Sequence, residues 1–240
     1  MRTASHSHAV PPEQVATGRR RLVAGLGAGA LLALVEGCVT PPPLPPRPID
    51  AARAPKVGDT WQYRYSSAWN NVAPRMLWNS VTSVTGEGVG DRLSVDARSA
   101  SGPAQLFTSG FQIVAFPYPG LVVEEFSPYF LAFGPAAVGE RGAVAMPPAS
   151  WSQWTASARV VGNEGVTVPA GSFEATRVDI IGNRFFTAGM DNAADPVTLN
   201  ATAWFAPAAK RMVRFTYQTQ AALFNLLSRD LYELVSYQVA

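Results

Sequence analysis

The chain carries two histidines, His6 and His8, and one cysteine, Cys38. Beyond Cys38 no imidazole and no second thiol exists, and this removes most catalytic designs at once. A Ser-His-Asp triad, a Cys-His pair and a histidine-ligated zinc or iron each need a ring that the rest of the chain lacks. A Ser-Lys dyad would have to draw on Lys56, in a proline-rich segment, or Lys210, at an expected turn; neither is placed as a desolvated base. Carboxylates remain. Glu124 and Glu125 are adjacent, so in a strand they face opposite ways and cannot share a substrate. Asp191, Asn192 and Asp195 offer hard oxygen ligands, but without the spaced acidic ladder of a calcium loop they read as solvated loop. Asp59 and Asp179 read as turn and salt-bridge residues. Gly25, Gly27 and Gly29 lack the spacing of a dinucleotide loop. No catalytic residue, cofactor site or metal site is expected, so the chain reads as a non-enzyme.

Length and composition bound the remainder. The 240 residues are 48% hydrophobic and 10% aromatic, enough for a sizeable core. Only 15% are charged, against about 25% in an ordinary soluble domain. A disordered chain, a coiled coil and a nucleic-acid binder driven by basic charge are all excluded. The net charge of +2 belongs to the start of the chain: Arg2, Arg19, Arg20 and Arg21 are four of its 19 basic residues, and Glu13 and Glu36 are two of its 17 acidic ones. From Cys38 onward the two signs balance.

Residues 1–37 read as a targeting segment. Arg19-Arg20-Arg21 precedes the uncharged run Leu22 to Val35, which falls short of the ~20 residues a spanning helix needs. A cationic start, a short apolar run and a small residue before a cut describe a secretory signal. A transmembrane anchor is the competing reading. Val35-Glu36-Gly37-Cys38 resembles the bacterial lipobox, although Glu36 is an unusual occupant of its variable position. The resemblance implies a diacylglyceryl thioether on Cys38 and an acylated amino terminus, an effectively permanent membrane anchor. Val39 stands where inner-membrane retention would usually want aspartate, so the same rule points to the outer membrane, with the domain facing the periplasm. Arg19 to Val23 also looks like a twin-arginine export motif; any signal peptide wants positive charge there. Residues 38–56, with Pro41, Pro42, Pro43, Pro45, Pro46 and Pro48, read as an extended polyproline spacer holding the domain off the bilayer.

From 57 to 240 the pattern is that of one β-rich domain. Trp61, Tyr63 and Tyr65 alternate with Gln62 and Arg64, the period-two signature of a half-buried strand. Strands are expected over Arg75–Val84, Leu93–Arg98, Ala104–Phe116 and Tyr232–Val239. Val166 to Val178 reads as a hairpin turning at Pro169-Ala170-Gly171, and Ala203 to Phe215 as a second turning after Pro207. Ala221 to Leu234 fits a helix with Leu223, Leu226, Leu227, Leu231 and Leu234 on one face, or equally a hairpin through Ser228-Arg229-Asp230. The expectation is a mainly β fold: a curved antiparallel sheet or half-barrel, one or two short helices and an irregular middle segment.

Three stretches, GDTWQYRY from Gly58, VTVPAGSFEATRV from Val166 and the WFAP…RMVRF pair from Trp204, resemble a group of bacterial envelope proteins. That group is similar in turn to the half-barrel superfamily of periplasmic lipoprotein carriers. The resemblance implies a curved antiparallel sheet around an apolar cavity, and no activity. Every aromatic residue of the chain follows Cys38. A well-filled core accounts for them, since strands favour aromatics. The sharper reading makes Phe107 to Phe133 a flap over a cavity, with Trp61, Tyr63, Trp78, Phe107, Phe111, Phe116, Phe130 and Phe133 as its apolar wall. Two functions compete: holding a hydrophobic small molecule or lipid against the sheet, or docking onto an envelope protein through an apolar surface. A hydrolase using carboxylates alone comes third and would need two acids about 5–10 Å apart in a cleft. No cofactor and no nucleic acid is implied.

Overall fold

The alternation of apolar and polar residues along the chain becomes twelve β-strands in the computed structural model, which describes residues 40–68, 73–95, 104–118, 121–145, 154–187, 194–221 and 228–240. In chain order they are β1 Thr60–Ser67, β2 Arg75–Val84, β3 Val89–Ser94, β4 Gln105–Phe107, β5 Ile113–Tyr118, β6 Leu121–Phe126, β7 Arg141–Ala143, β8 Thr155–Val168, β9 Gly171–Thr187, β10 Ala194–Ala206, β11 Arg211–Ala221 and β12 Ser228–Gln238. Ten of them form one antiparallel sheet in the order β4-β3-β2-β1-β12-β11-β10-β9-β8-β7. The sheet curves without closing, as a half-barrel does. The first and last long strands, β1 and β12, meet at its centre, joined by a ladder that begins at Thr60 and Gln238.

Strand parity sorts the side chains. On β9 Val178 and Ile180 are buried while Ile181 is exposed; on β10 Leu199, Ala201, Ala203 and Phe205 are buried while Thr198 and Asn200 are exposed. One face of the sheet is thus apolar and covered, the other polar and open. The connections follow their turn chemistry. Between β8 and β9, Gly171 sits at φ 131°, and after Pro207–Ala209, a single 3-10 turn, Lys210 takes the left-handed conformation at φ 54°. Helical structure among the described residues is confined to such turns, the other being Phe130–Phe133.

Two expectations change here. Residues up to Ala221 and from Ser228 onward are antiparallel strands paired to each other, which settles the open reading of Ala221 to Leu234 as a hairpin. Ser228-Arg229-Asp230 lies within β12 and is not its turn. Leu223, Leu226 and Leu227 fall outside the described residues. The proline-rich segment, read as a spacer up to residue 56, lies against the domain instead. Ala143 N–H donates to Pro42 O at 3.1 Å, Asp50 N–H to Ala132 O at 2.8 Å and Arg47 N–H to Ser109 Oγ at 2.9 Å. Leu44 packs on the core over Gly142, where a Cβ would sit 2.8 Å from the leucine Cγ. Composition alone shows that this chain is stiff and extended. It does not show that leucine and arginine every few residues give the stiff chain something to grip.

Candidate functional site

The inner face of the sheet is where a guest was expected, and the structure shows what lies there. Strands β5 and β6 form a separate two-stranded hairpin, and the segment around it packs onto the inner face. Phe111 stacks on Phe130 at 4.7 Å and on Phe126 at 5.8 Å, and Phe126 and Phe130 both reach Phe205 of β10, at 6.4 and 5.9 Å. Tyr129 bridges Phe107 and Trp61 at 5.8 and 5.9 Å. Of the proposed wall, Trp61, Tyr63, Phe107, Phe111, Phe130 and Phe133 are brought together, each 3% exposed or less. All six belong to one buried apolar cluster. Trp78 is not among them: it alternates with the buried Leu77 and Asn79 and so belongs to the other face of β2. Phe116 lies in β5 and pairs with Val123 in the hairpin register; its side chain falls outside the described residues, as do Cys38, Asp191 and Asn192.

In the middle of this apolar packing sits a charge cluster. Arg211, at the start of β11, has a fully buried side chain and donates through one nitrogen, Nη2, to Asp91 Oδ2 at 2.7 Å and to Glu125 Oε1 at 2.6 Å. Its Nε donates to Tyr129 Oη at 3.2 Å, and Tyr129 O–H donates to Asp91 Oδ2 at 3.1 Å. Asn79 Nδ2 donates to both Asp91 oxygens, at 3.4 and 3.3 Å. The guanidinium is also faced by the rings of Tyr63, Tyr129 and Trp61 at 5.0, 5.3 and 5.6 Å. Those rings are held in turn by Tyr63 O–H donating to Met212 O and Trp61 N–H donating to Ala209 O. Burial works against the Arg211 charge, but Glu125, Tyr63 and Asp91 outweigh it and raise its pKa well above the usual value. The cluster joins three parts of the chain, β3, the β6 strand of the inner hairpin, and β11.

Sequence reasoning missed this cluster, and strand parity held the signal. Asp91 shares parity with the core residues Val89 and Leu93, and Arg211 with Val213 and Phe215. A charge at an inward position needs a charge to answer it. Glu124 and Glu125 do face opposite ways, as expected, yet both are buried, because the hairpin is enclosed on both sides. Tyr232 O–H donates to Glu124 O at 3.0 Å on the second side. The Asp91 and Glu125 carboxylates share one nitrogen, at 2.7 and 2.6 Å, and so lie close together. They do so at 0% and 3% exposure, sealed under aromatic rings rather than in a cleft. That arrangement ties β3, β6 and β11 together.

One consequence is measurable. Burial, opposed by Arg211 and reinforced by Asp91, pushes the Glu125 carboxyl from the ordinary 4.5 up to about 7. The folded state therefore binds this proton more tightly than the unfolded chain does. The stability it contributes is fully present below about pH 4.5 and is lost as pH rises through about 7. Glu125→Gln, a permanently neutral stand-in, is expected to flatten that decline when Tm is followed across the window. A slope identical to wild type would refute it.

The outer face carries a different feature. Across β9–β12 runs an open cavity of about 540 Å³, with Asn200, Thr202, Arg214, Thr216, Gln218 and Arg229 in its lining. Beside it Asp179 accepts from Arg177 Nε at 2.8 Å and from Thr202 O–H at 3.1 Å, as the sequence suggested for a salt-bridge residue. Asp59, expected as a turn residue, accepts from the backbone of Lys56 at 2.8 Å and of Ala240 at 3.0 Å. Lys210 donates to Ala240 O at 2.7 Å on the surface.

No protein-family model and no curated protein matches the chain. Among solved structures, it is similar to a candidate lipoprotein from Parabacteroides distasonis at 12% identity and a TM-score of 0.38, over 77% of this chain and 97% of that one. It is also similar to a candidate exported protein with a YmcC-like fold from Bacteroides fragilis, at 15% identity and a TM-score of 0.38, over 81% of this chain and all of the other. Both likenesses are loose.

Proposed function

We propose that the chain is a non-catalytic accessory lipoprotein of the bacterial envelope that docks a partner on the outer face of its sheet. The observation that carries this reading is the occupied inner face: the chain's own rings Phe107, Phe111, Phe126, Tyr129 and Phe130 pack where a hydrophobic guest would lie. Its buried acids are answered internally by Arg211. What the sheet leaves open is the groove across β9–β12. The absence of histidine and of a second cysteine beyond Cys38 supports a role without chemistry. Attachment through a lipidated Cys38, at the outer membrane, rests on the lipobox-like Val35 to Cys38 and on Val39. Kinship with the half-barrel lipoprotein carriers rests on the three sequence stretches, and it enters this reading as a fold only.

Site-specific photo-crosslinking in intact cells tests the docking. A crosslinker at Gln218, in the groove, is expected to give a discrete adduct that one at Glu174, on the β8–β9 hairpin, does not. No adduct, equal adducts at both positions, or stoichiometric lipid extracted from the purified protein would overturn it.

A further inference from the structure

The groove's chemistry can be read one step further, resting on the reading of the outer face as the working face. The strand registers lay its side chains out as a lattice. One row runs Glu233, Arg214, Trp204, Arg177; the next Leu231, Thr216, Thr202, Asp179; the third Arg229, Gln218, Asn200, Ile181. The acids on this face are already engaged, Glu233 by Arg64 at 2.6 Å and Asp179 by Arg177 and Thr202. Asp230, which also borders the cavity, shares parity with the inward Tyr232 and Leu234.

Two arginines of the groove, Arg214 and Arg229, are not engaged. Among the described residues the Arg214 side chain makes no ion pair or hydrogen bond, and its Nε is buried without a partner. Its guanidinium lies 5.3 Å from the Trp204 ring centroid. Trp204 is itself fixed by an N–H bond to Glu164 at 2.6 Å. Arg214 is thus a planar cation, pressed on an aromatic and held in place, with its terminal nitrogens unanswered. Arg229 is exposed and equally unpaired, one strand across and four residues along, about 14 Å away by strand geometry. Between them lie hydroxyls and amides from Thr216, Gln218, Asn200 and Thr202. Two long cations on either side of neutral hydrogen-bonding groups, with the outward acids Glu233 and Asp179 already paired, complement a negative ligand that also offers oxygens to donors.

We propose that this groove binds an oxyanion-bearing ligand, with phosphate or carboxylate groups taken by Arg214 and Arg229. Free Arg214 costs the fold an unpaired buried nitrogen, and the ligand makes use of a cation already oriented for a forked contact.

The test is isothermal titration of the full chain, in neutral detergent, with inorganic pyrophosphate. Saturable binding is expected in wild type. Arg214→Gln and Arg229→Gln should each weaken it about tenfold, a loss of about 1.4 kcal/mol. Arg53→Gln, which removes a surface arginine paired with Asp50 away from the groove, should leave it unchanged. Repeating the titration in micelles doped with phosphatidic acid separates sources: competition assigns the phosphate to a lipid headgroup, its absence to a soluble ligand. No saturable heat, or binding undiminished in the Arg214→Gln, Arg229→Gln double variant, overturns the proposal. Crosslinks at Gln218 that persist without pyrophosphate binding would sink this inference alone; crosslinks lost from Gln218 would sink the docking reading with it.

Discussion

Arg211→Met is expected to lower the unfolding free energy by about 3–5 kcal/mol, the largest effect of any single change to a charged residue here. Methionine fills much of the same space, so the loss is not one of packing. It comes from Asp91 and Glu125, left without their shared donor where side-chain exposure is 0% and 3%. One buried carboxylate would have to take up a proton, and the other would keep only Asn79 and Tyr129. Urea denaturation at pH 7 measures the effect. The design of the cluster gives a second arm. Replacing all three charges together, Arg211→Met with Asp91→Leu and Glu125→Met, removes the unpaired acids as well as the pair, and is expected to recover most of the loss. A single variant as stable as wild type would show that the inner hairpin is held by its aromatics alone.

Phe130→Ala is expected to cost about 3–5 kcal/mol as well, by a different route. Its ring is stacked on Phe111 at 4.7 Å, packed on Phe205 at 5.9 Å, and covered by the Arg47 guanidinium at 5.0 Å. Truncation would leave a void lined by those groups, between the proline-rich strap and the inner face. The variant should therefore take up a hydrophobic fluorescent probe that the wild type refuses. The two readouts together separate the competing functions. A wild type that already binds the probe as well as the variant does would return the hydrophobic-guest reading to the front.

The fold was legible where strand chemistry is local. Trp61, Tyr63 and Tyr65 announced an inward face, and Pro169 with Gly171 announced the turn between β8 and β9. The tertiary position of Phe107 to Phe133 was not legible in the same way. Proline-punctuated aromatics look alike whether they line a cavity or fill it, because the same ring buries the same area in both. Only the registry of hairpin against sheet decides. The charge cluster was half legible. Asp91 and Arg211 share parity with core residues, a signal the sequence reading did not take up, and their separation of 120 hides the pairing. Glu125 was set aside because its neighbour pointed the other way, and a strand enclosed on both sides breaks that argument.

The docked strap also fixes how freely a tethered domain could roam. Pro42 O already accepts a bond from Ala143, so an attachment at Cys38 leaves only four residues of leash, about 14 Å at full stretch. Such a molecule would ride close to its lipid surface, tilting about one point rather than swinging out from it. Any partner would have to come within that short reach.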